Sequence, residues 1–134
     1  MSIQTSFRIR LANRPGELLK LTNALSQAGI NIEGGAGINA GGTEGTLQLL
    51  VNDTSRTEQI LREQNISFEK IPLVLTWIPE KVGGLAATIK PLADAGLNID
   101  TLFGVRQEGD QNLLAFGVND PEKADKILST RSNA

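Results

Sequence analysis

The chain has 134 residues, a formal net charge of −2 at pH 7, 4% aromatic residues, and neither Cys nor His. The lack of Cys excludes disulfides, thiolate metal sites and a cysteine nucleophile, and the lack of His removes the commonest general base and zinc ligand. Dispersed charges and few aromatic residues argue against a nucleic-acid partner. No apolar run reaches membrane-spanning length and no secretory leader pattern opens the sequence, so we expect a soluble, cytoplasmic protein without a membrane partner.

The first half of the chain predicts four strands and two helices. These are strands over 6–12, 30–32, 46–51 and 67–71 and helices over about 17–28 and 54–65. Phe7, Ile9 and Leu11 alternate with polar residues, as in a half-buried strand. Asp53 or Thr54 is suited to cap the second helix. The glycine-rich stretch 33–45 predicts a loose or bulged hairpin.

The second half repeats the first at a fixed offset of 67 residues, without a gap. The matching pairs are Gly16 and Gly83, Leu18 and Leu85, Leu25 and Leu92, Gly29 and Gly96, Ile32 and Ile99, Gly37 and Gly104, Asp53 and Asp120, and Leu61 and Leu128. Strand, helix, strand, strand, helix, strand is the split βαβ pattern. We therefore predict an α+β protein with two tandem ferredoxin-like βαββαβ copies, each an antiparallel sheet with helices on one face. Copy one covers residues 1–71 and copy two covers 72–134.

Copy two differs from copy one in three respects. Its fourth strand should begin near position 135, beyond the last residue, so copy two lacks its edge strand; a trimmed chain, a natural truncation and a second chain that fills the gap all agree with this pattern. Pro91 lies inside its first helix, which predicts an irregular turn near residues 87–91. Its outward sheet face is apolar, and either other parts of this chain or a second subunit must cover it. That face comprises Leu73, Leu75, Trp77, Leu113 and Ala115.

The corner Asn13-Arg14-Pro15-Gly16-Glu17-Leu18 joins the first strand to the first helix. Pro15 fixes its own φ and keeps Arg14 extended, while Gly16 has no Cβ, so the amides at the helix start are open to close approach. A helix N-terminus with free amides attracts a carboxylate. The same residues also suit an ordinary helix start, in which Pro and Gly serve turn geometry alone.

The corner, the Ala-Gly at each helix end, and the Asn-Ile that opens each second strand resemble tandem ACT domains. The resemblance covers nearly the whole chain, and it implies a regulatory module that binds amino acids. In serine-binding members the ligand lies between paired domains, held by the corner and by an Asn that opens the second strand. Carried over, these positions are Asn13, Arg14, Pro15, Gly16 and Asn31. Those members also have a His two residues before the corner Asn, where this chain has Leu11, a departure that leaves the identity of the amino acid open.

A free amino acid needs donors for its carboxylate and acceptors for its ammonium. The amides of Gly16 and Glu17 and the Arg14 guanidinium are candidate donors, and Asn13 and Asn31 are candidate acceptors through their side-chain oxygens. In copy two, Glu80 could pair with an ammonium and the amides of Gly83 and Gly84 could bind a carboxylate, with Asn98 at the place of Asn31. Local turn capping by each Asn, and a solvated corner at Glu80, are the alternatives.

These patterns favour a regulatory protein that senses an amino acid or a similar small metabolite between ACT domains. Ligand would shift the packing or oligomeric state of a homodimer, which a partner enzyme reads. The alternative is a ligand-free interaction or oligomerisation module that acts on a partner enzyme. Catalysis and cofactors are not expected, because the sequence has no phosphate-binding loop of the Walker type and no dinucleotide fingerprint.

Overall fold

A computed structural model describes residues 3–39 and 41–132 and shows an α+β fold. Its elements, in chain order, are β1 (Ile3–Ala12), α1 (Glu17–Gln27), β2 (Ile32–Ile38), β3 (Glu44–Val51), α2 (Thr54–Glu63), β4 (Phe68–Pro79), α3 (Gly84–Asp94), β5 (Ile99–Glu108), β6 (Gln111–Val118) and α4 (Pro121–Ser132). The elements fall into two compact units with the ferredoxin-like arrangement that the sequence predicts. We call Thr5–Ile71 the copy-one unit, and Pro72–Ala134 together with Met1–Gln4 the copy-two unit.

In the copy-one unit the strand order is β2-β3-β1-β4, and β3 pairs antiparallel with both β1 and β2. The register places Phe7 opposite Leu49 and Ile9 opposite Leu47. Helices α1 and α2 each supply two buried residues to the core, because their apolar positions recur at helical spacing. The buried core comprises Phe7, Ile9, Leu21, Leu25, Ile30, Leu49, Val51, Ile60 and Leu61.

The two helices of the copy-one unit begin in different ways. The Asp53 carboxylate accepts a hydrogen bond from the Arg56 amide at 3.0 Å, which confirms the predicted cap of α2. Gly16, before α1, has φ 87° and no side chain to cap the helix. A left-handed backbone of this kind favours glycine. The first amides of α1 therefore receive no side-chain acceptor from the residue that precedes the helix.

In the copy-two unit the strand order is β1-β4-β6-β5, and the first residues of β1 provide an edge strand. Ile3 packs against the core of Val74, Leu92, Phe116, Val118, Ala124 and Leu128. The offset of 67, counted backwards, relates Ile3 to Lys70 in the fourth strand of copy one. Residues at the start of β1 thus form the edge strand of the copy-two unit.

The second helix of each unit carries a carboxylate, and the two carboxylates differ in their hydrogen bonds. In copy one, Glu58 accepts hydrogen bonds from Arg62 at 2.8 Å and from Lys70 at 3.0 Å, and these contacts lower the pKa of its carboxyl group. The offset of 67 relates Glu58 to Asp125 on α4. The Asp125 Oδ1 atom is buried and accepts no hydrogen bond from the residues that the structure describes.

The sequence predicts that the fourth strand of copy one ends at residue 71 and that copy two begins at residue 72, but the structure has one continuous strand across this boundary, β4. Pro72 lies within it, and the boundary between the two units falls just before this residue. Proline and the residue before it both prefer extended geometry, so Pro72 permits a strand here although it removes one amide donor.

The glycine-rich stretch also differs from expectation: β2 extends through it to Ile38, with the predicted irregularity confined to a register shift between Ile32 and Gly34.

The apolar face predicted for copy two is not an open surface in the single chain. Leu73 and Ala115 are fully buried, and Leu75 and Leu113 are 7% and 6% exposed. Trp77 is partly buried, with the Arg106 guanidinium 5.4 Å from the centre of its ring. The sequence allowed this face to be covered by the same chain or by a second subunit. The single chain buries these four aliphatic side chains without a second subunit. Pro91 lies in the last turn of α3 and does not end the helix.

Candidate functional site

The corner of the copy-one unit is tied to the hairpin between β2 and β3. The Asn13 amide donates to the Thr43 carbonyl at 2.8 Å, and the Asn13 side-chain Nδ2 donates to the Gly42 carbonyl at 3.0 Å. The Asn39 Oδ1 accepts from the Gly41 amide at 2.8 Å within the same hairpin. Because Asn13 uses its side-chain donor on Gly42, its Oδ1 atom is left as an acceptor. The corner and the hairpin therefore form two walls fixed to each other.

Between these walls lies a cavity of about 340 Å³, which we call the corner cavity. It is lined by Leu11, Ala12, Asn13, Arg14, Glu17, Leu18, Gly37, Ile38, Asn39, Gly45, Thr46 and Leu47. Its volume lies at the lower end of the range of about 300–1,000 Å³ that is typical of small-molecule sites. Apolar side chains make up much of the lining, and the polar groups are concentrated where α1 begins.

The start of α1 supplies both signs of charge to this cavity. The Arg14 Nη2 atom lies 3.5 Å from the Glu17 Oε1 atom, and the Arg14 side chain is 69% exposed. An exposed pair of this kind contributes little to folding stability, so both groups are available to a ligand at low cost. The Leu18 amide lies in the first turn, where no intrahelical acceptor exists. Arg14 and this amide can bind an anionic group, while Glu17 and the Asn13 Oδ1 atom can accept from a cationic one.

Of the residues predicted for the copy-one site, Asn13, Arg14 and Glu17 line the cavity, and Pro15 and Gly16 complete the turn that positions them. Sequence reasoning missed the opposite wall, which comprises Gly37, Ile38, Asn39, Gly45, Thr46 and Leu47. One signal was present in the sequence. Ile38 is the one large apolar residue in the glycine-rich stretch 33–45, and it is 73% exposed.

Within each unit, the structure does not bring the second-strand asparagines to the corners. Asn31 precedes β2, whereas the corner cavity meets the other end of β2 at Ile38, about 20 Å away along the strand. The Asn31 amide donates to the Asn52 Oδ1 atom at 2.9 Å. Copy two has the same bond, from the Asn98 amide to the Asn119 Oδ1 atom at 2.9 Å. The side chains of Asn52 and Asn119 thus bind the backbone at Asn31 and Asn98, and ligand contact by the Asn31 and Asn98 side chains stays a prediction.

The corner of copy two is built differently from that of copy one. The Glu80 carboxylate accepts a hydrogen bond from the Asn112 side chain, so it is already engaged. Gly83 has φ 85° and, like Gly16, precedes its helix without a side-chain cap. Gly84 replaces Glu17 and is buried against the Pro79 carbonyl oxygen, in a space that a Cβ atom would have to share. Copy two thus has no carboxylate at the position of Glu17, and its own corner carboxylate, Glu80, is bound by Asn112.

Other kinds of site were sought in the described ranges 3–39 and 41–132. No group of three or more acidic side chains there is arranged to hold a metal ion. Nor does any helix in these ranges have the length and apolar character needed to cross a membrane.

Comparison with solved structures identifies the fold. Protein BT0572 from Bacteroides thetaiotaomicron is similar over 98% of this chain and 90% of its own, with a TM-score of 0.90 and 18% sequence identity. The ligand-free regulatory subunit of aspartate kinase from Thermus thermophilus is similar over 97% and 96%, with a TM-score of 0.65 and 16% identity. The corresponding subunit from Thermus flavus covers the same shares, with a TM-score of 0.62 and 14% identity.

No family model and no curated protein sequence matches the chain. The chain therefore has the fold of regulatory subunits of aspartate kinase. At identities of 14–18% this likeness establishes the fold alone, and the function must be argued from the corner cavity.

Proposed function

We propose that this chain is a regulatory protein, not an enzyme, and that it binds a free amino acid in the corner cavity of the copy-one unit. The observation that carries the proposal is the cavity itself. It combines an apolar lining of suitable volume with an uncapped helix start, one cation and one carboxylate. An α-amino acid carries the matching set of groups: a carboxylate, an ammonium and a side chain.

The binding mode follows from the positions of the polar groups. The ligand carboxylate approaches the Leu18 amide and the Arg14 guanidinium, where the helix dipole and a charge-assisted hydrogen bond both favour an anion. The ammonium faces the Glu17 carboxylate and the Asn13 Oδ1 atom. The ligand side chain then lies against the β2–β3 wall, where Ile38 is an exposed apolar contact. Selectivity among amino acids depends on this wall.

A regulatory role follows because ligand would contact two separate segments, the corner and the β2–β3 hairpin. A ligand that bridges two segments favours the arrangement in which both reach it, and a partner protein or a second copy can respond to that arrangement. The tandem ACT interpretation of the sequence supports the same conclusion. The fold shared with regulatory subunits of aspartate kinase is consistent with it.

The proposal is tested by a thermal-shift screen of the purified protein against all proteinogenic amino acids, followed by calorimetry on each hit. A ligand that binds only the folded state raises the melting temperature. We expect a selective hit, and we expect Arg14→Gln to weaken its binding by about tenfold or more, as the loss of one charge-assisted hydrogen bond predicts.

Lys81→Gln is the matched control, because Lys81 holds the position of Arg14 in copy two and should leave affinity unchanged. Both side chains lie on corners, so neither substitution should alter the fold. No hit at millimolar concentrations would contradict amino-acid binding. A hit that Lys81→Gln weakens, but Arg14→Gln does not, would place the ligand outside the corner cavity.

A further inference from the structure

A second cavity of the copy-one unit lies on the other side of the residues that end β1. It has a volume of about 230 Å³, roughly the liquid volume of eight water molecules. We call it the polar cavity. Its lining comprises Arg10, Leu11, Ala12, Glu17, Lys20, Leu21, Glu44, Gln64, Asn65, Ile66 and Ser67. In contrast to the corner cavity, most of these side chains are charged or polar.

Three of the charged groups in this lining are uncommitted. Arg10, Lys20 and Glu44 make no side-chain hydrogen bond or ion pair with any residue in the described part of the chain, whereas Glu17 is held by Arg14. Arg10 lies opposite Thr46 and Glu44 lies opposite Ala12, so Arg10 and Glu44 are diagonal neighbours on one face of the sheet. Lys20 lies on α1, which packs against the other face of the sheet, so it reaches the cavity from the opposite side. Together, Arg10, Lys20 and Glu44 carry one more positive charge than negative charge.

The second copy of the domain shows that the fold does not require these charges. The offset of 67 relates the four charged residues to neutral ones: Arg10 to Trp77, Glu17 to Gly84, Lys20 to Ala87 and Glu44 to Gln111. Both copies nevertheless form the same strands and helices. The strands and helices therefore form without charges at these four positions.

We propose that the polar cavity is a second binding site, for a small oxyanion that also carries hydroxyl groups. Arg10 and Lys20 bind the carboxylate or phosphate of the ligand through charge-assisted hydrogen bonds. Glu44 accepts from a ligand hydroxyl, and Gln64, Asn65 and Ser67 add neutral hydrogen-bonding groups. This ligand is separate from the amino acid of the corner cavity, and its site does not depend on that proposal.

The test is a titration of nitrogen-15-labelled protein, followed by amide NMR, with L-malate and glycerol 3-phosphate as separate probes. Malate offers carboxylates and a hydroxyl, and glycerol 3-phosphate offers a phosphate and hydroxyls, so the two titrations distinguish the oxyanion. Sodium chloride at matched ionic strength corrects for screening. We expect saturable shifts at Lys20, Asn65 and Ser67, from one probe or both, without corresponding shifts at Asn39 and Thr46 of the corner cavity.

Variants then assign the binding groups. Arg10→Gln and Lys20→Gln should each weaken binding by about tenfold. Arg8→Gln is the matched control, because Arg8 lies on the same face of β1 and does not line the cavity; it should leave affinity unchanged. The proposal is overturned if neither probe shifts the polar-cavity amides beyond the chloride control, or if Arg8→Gln weakens binding as much as Arg10→Gln does. Failure of amino-acid binding would leave both results intact.

Discussion

Replacing Ile3 by alanine should destabilise the copy-two unit, although Ile3 is separated from that unit's other residues by the whole of copy one in the sequence. Ile3 packs against the core that contains Val74 and Phe116. If the start of β1 is the edge strand of copy two, the loss of this side chain removes part of that core. If it is a dispensable N-terminal extension, the substitution has no effect.

The size of the effect can be worked out from the packing. Ile3→Ala removes three carbon atoms, worth ~0.8 kcal/mol each when fully buried, and Ile3 is partly buried, so the expected loss is ~1–2 kcal/mol. An unfolding entropy of ~2.1 cal/mol/K per residue gives ~0.28 kcal/mol/K for the chain of 134 residues. The melting temperature should therefore fall by about 4–7 °C.

Urea unfolding followed by tryptophan fluorescence is the assay. Trp77 is the only tryptophan, and it lies in the part of β4 that belongs to the copy-two unit, so its emission reports on that unit. Gln4→Ala is the control, because Gln4 is the exposed neighbour of Ile3 and should change stability little. Equal stability of the two variants, within the error of the urea midpoints, would refute the assignment of residues 3 and 4 to the copy-two sheet.

Two further predictions concern copy one and the glycines before the first helix of each copy. Arg62 and Lys70 lower the pKa of Glu58, so the stability that this carboxylate contributes is complete above the ordinary carboxyl pKa and is lost as pH falls through the lowered value. Urea unfolding should thus show Glu58→Gln to be costly at neutral pH and nearly neutral in strong acid; a cost independent of pH would contradict the ion pairing. Gly16→Ala and Gly83→Ala should each lower stability by about 1–2 kcal/mol, because φ is 87° and 85° and no atom outside the neighbouring residues lies within 4 Å of either added Cβ. Calorimetric melting of both variants checks this, and a large difference between them would show that strain at φ is not the common cause.

Much of the fold could be predicted because its signals are local. The alternation of Phe7, Ile9 and Leu11 depends only on the period of a strand, and the cap at Asp53 depends on its own helix. The repeat at an offset of 67 residues then predicts a second unit with the same strands and helices as the first. One wall of the corner cavity could be predicted in the same way, because Asn13, Arg14 and Glu17 lie close together in the sequence.

The tertiary structure decided what depends on pairing between distant segments. The second wall of the corner cavity, at Ile38 and Thr46, exists because β2 and β3 bring the hairpin beside the corner, and no local pattern records that approach. The same pairing places Asn31 at the far end of β2, although it follows the first helix closely in the sequence.

The edge strand of copy two shows most clearly which features the sequence determined and which only the tertiary structure decided. The sequence by itself determined that copy two needs a fourth strand, because the repeat defines what each unit must contain. Only the structure showed that Ile3 packs in that unit, with Leu73 and Ala115 buried in the single chain. The reason is physical: strand period and helix caps are fixed by neighbours along the chain, whereas a strand's partner is chosen by the free energy of burying a whole face.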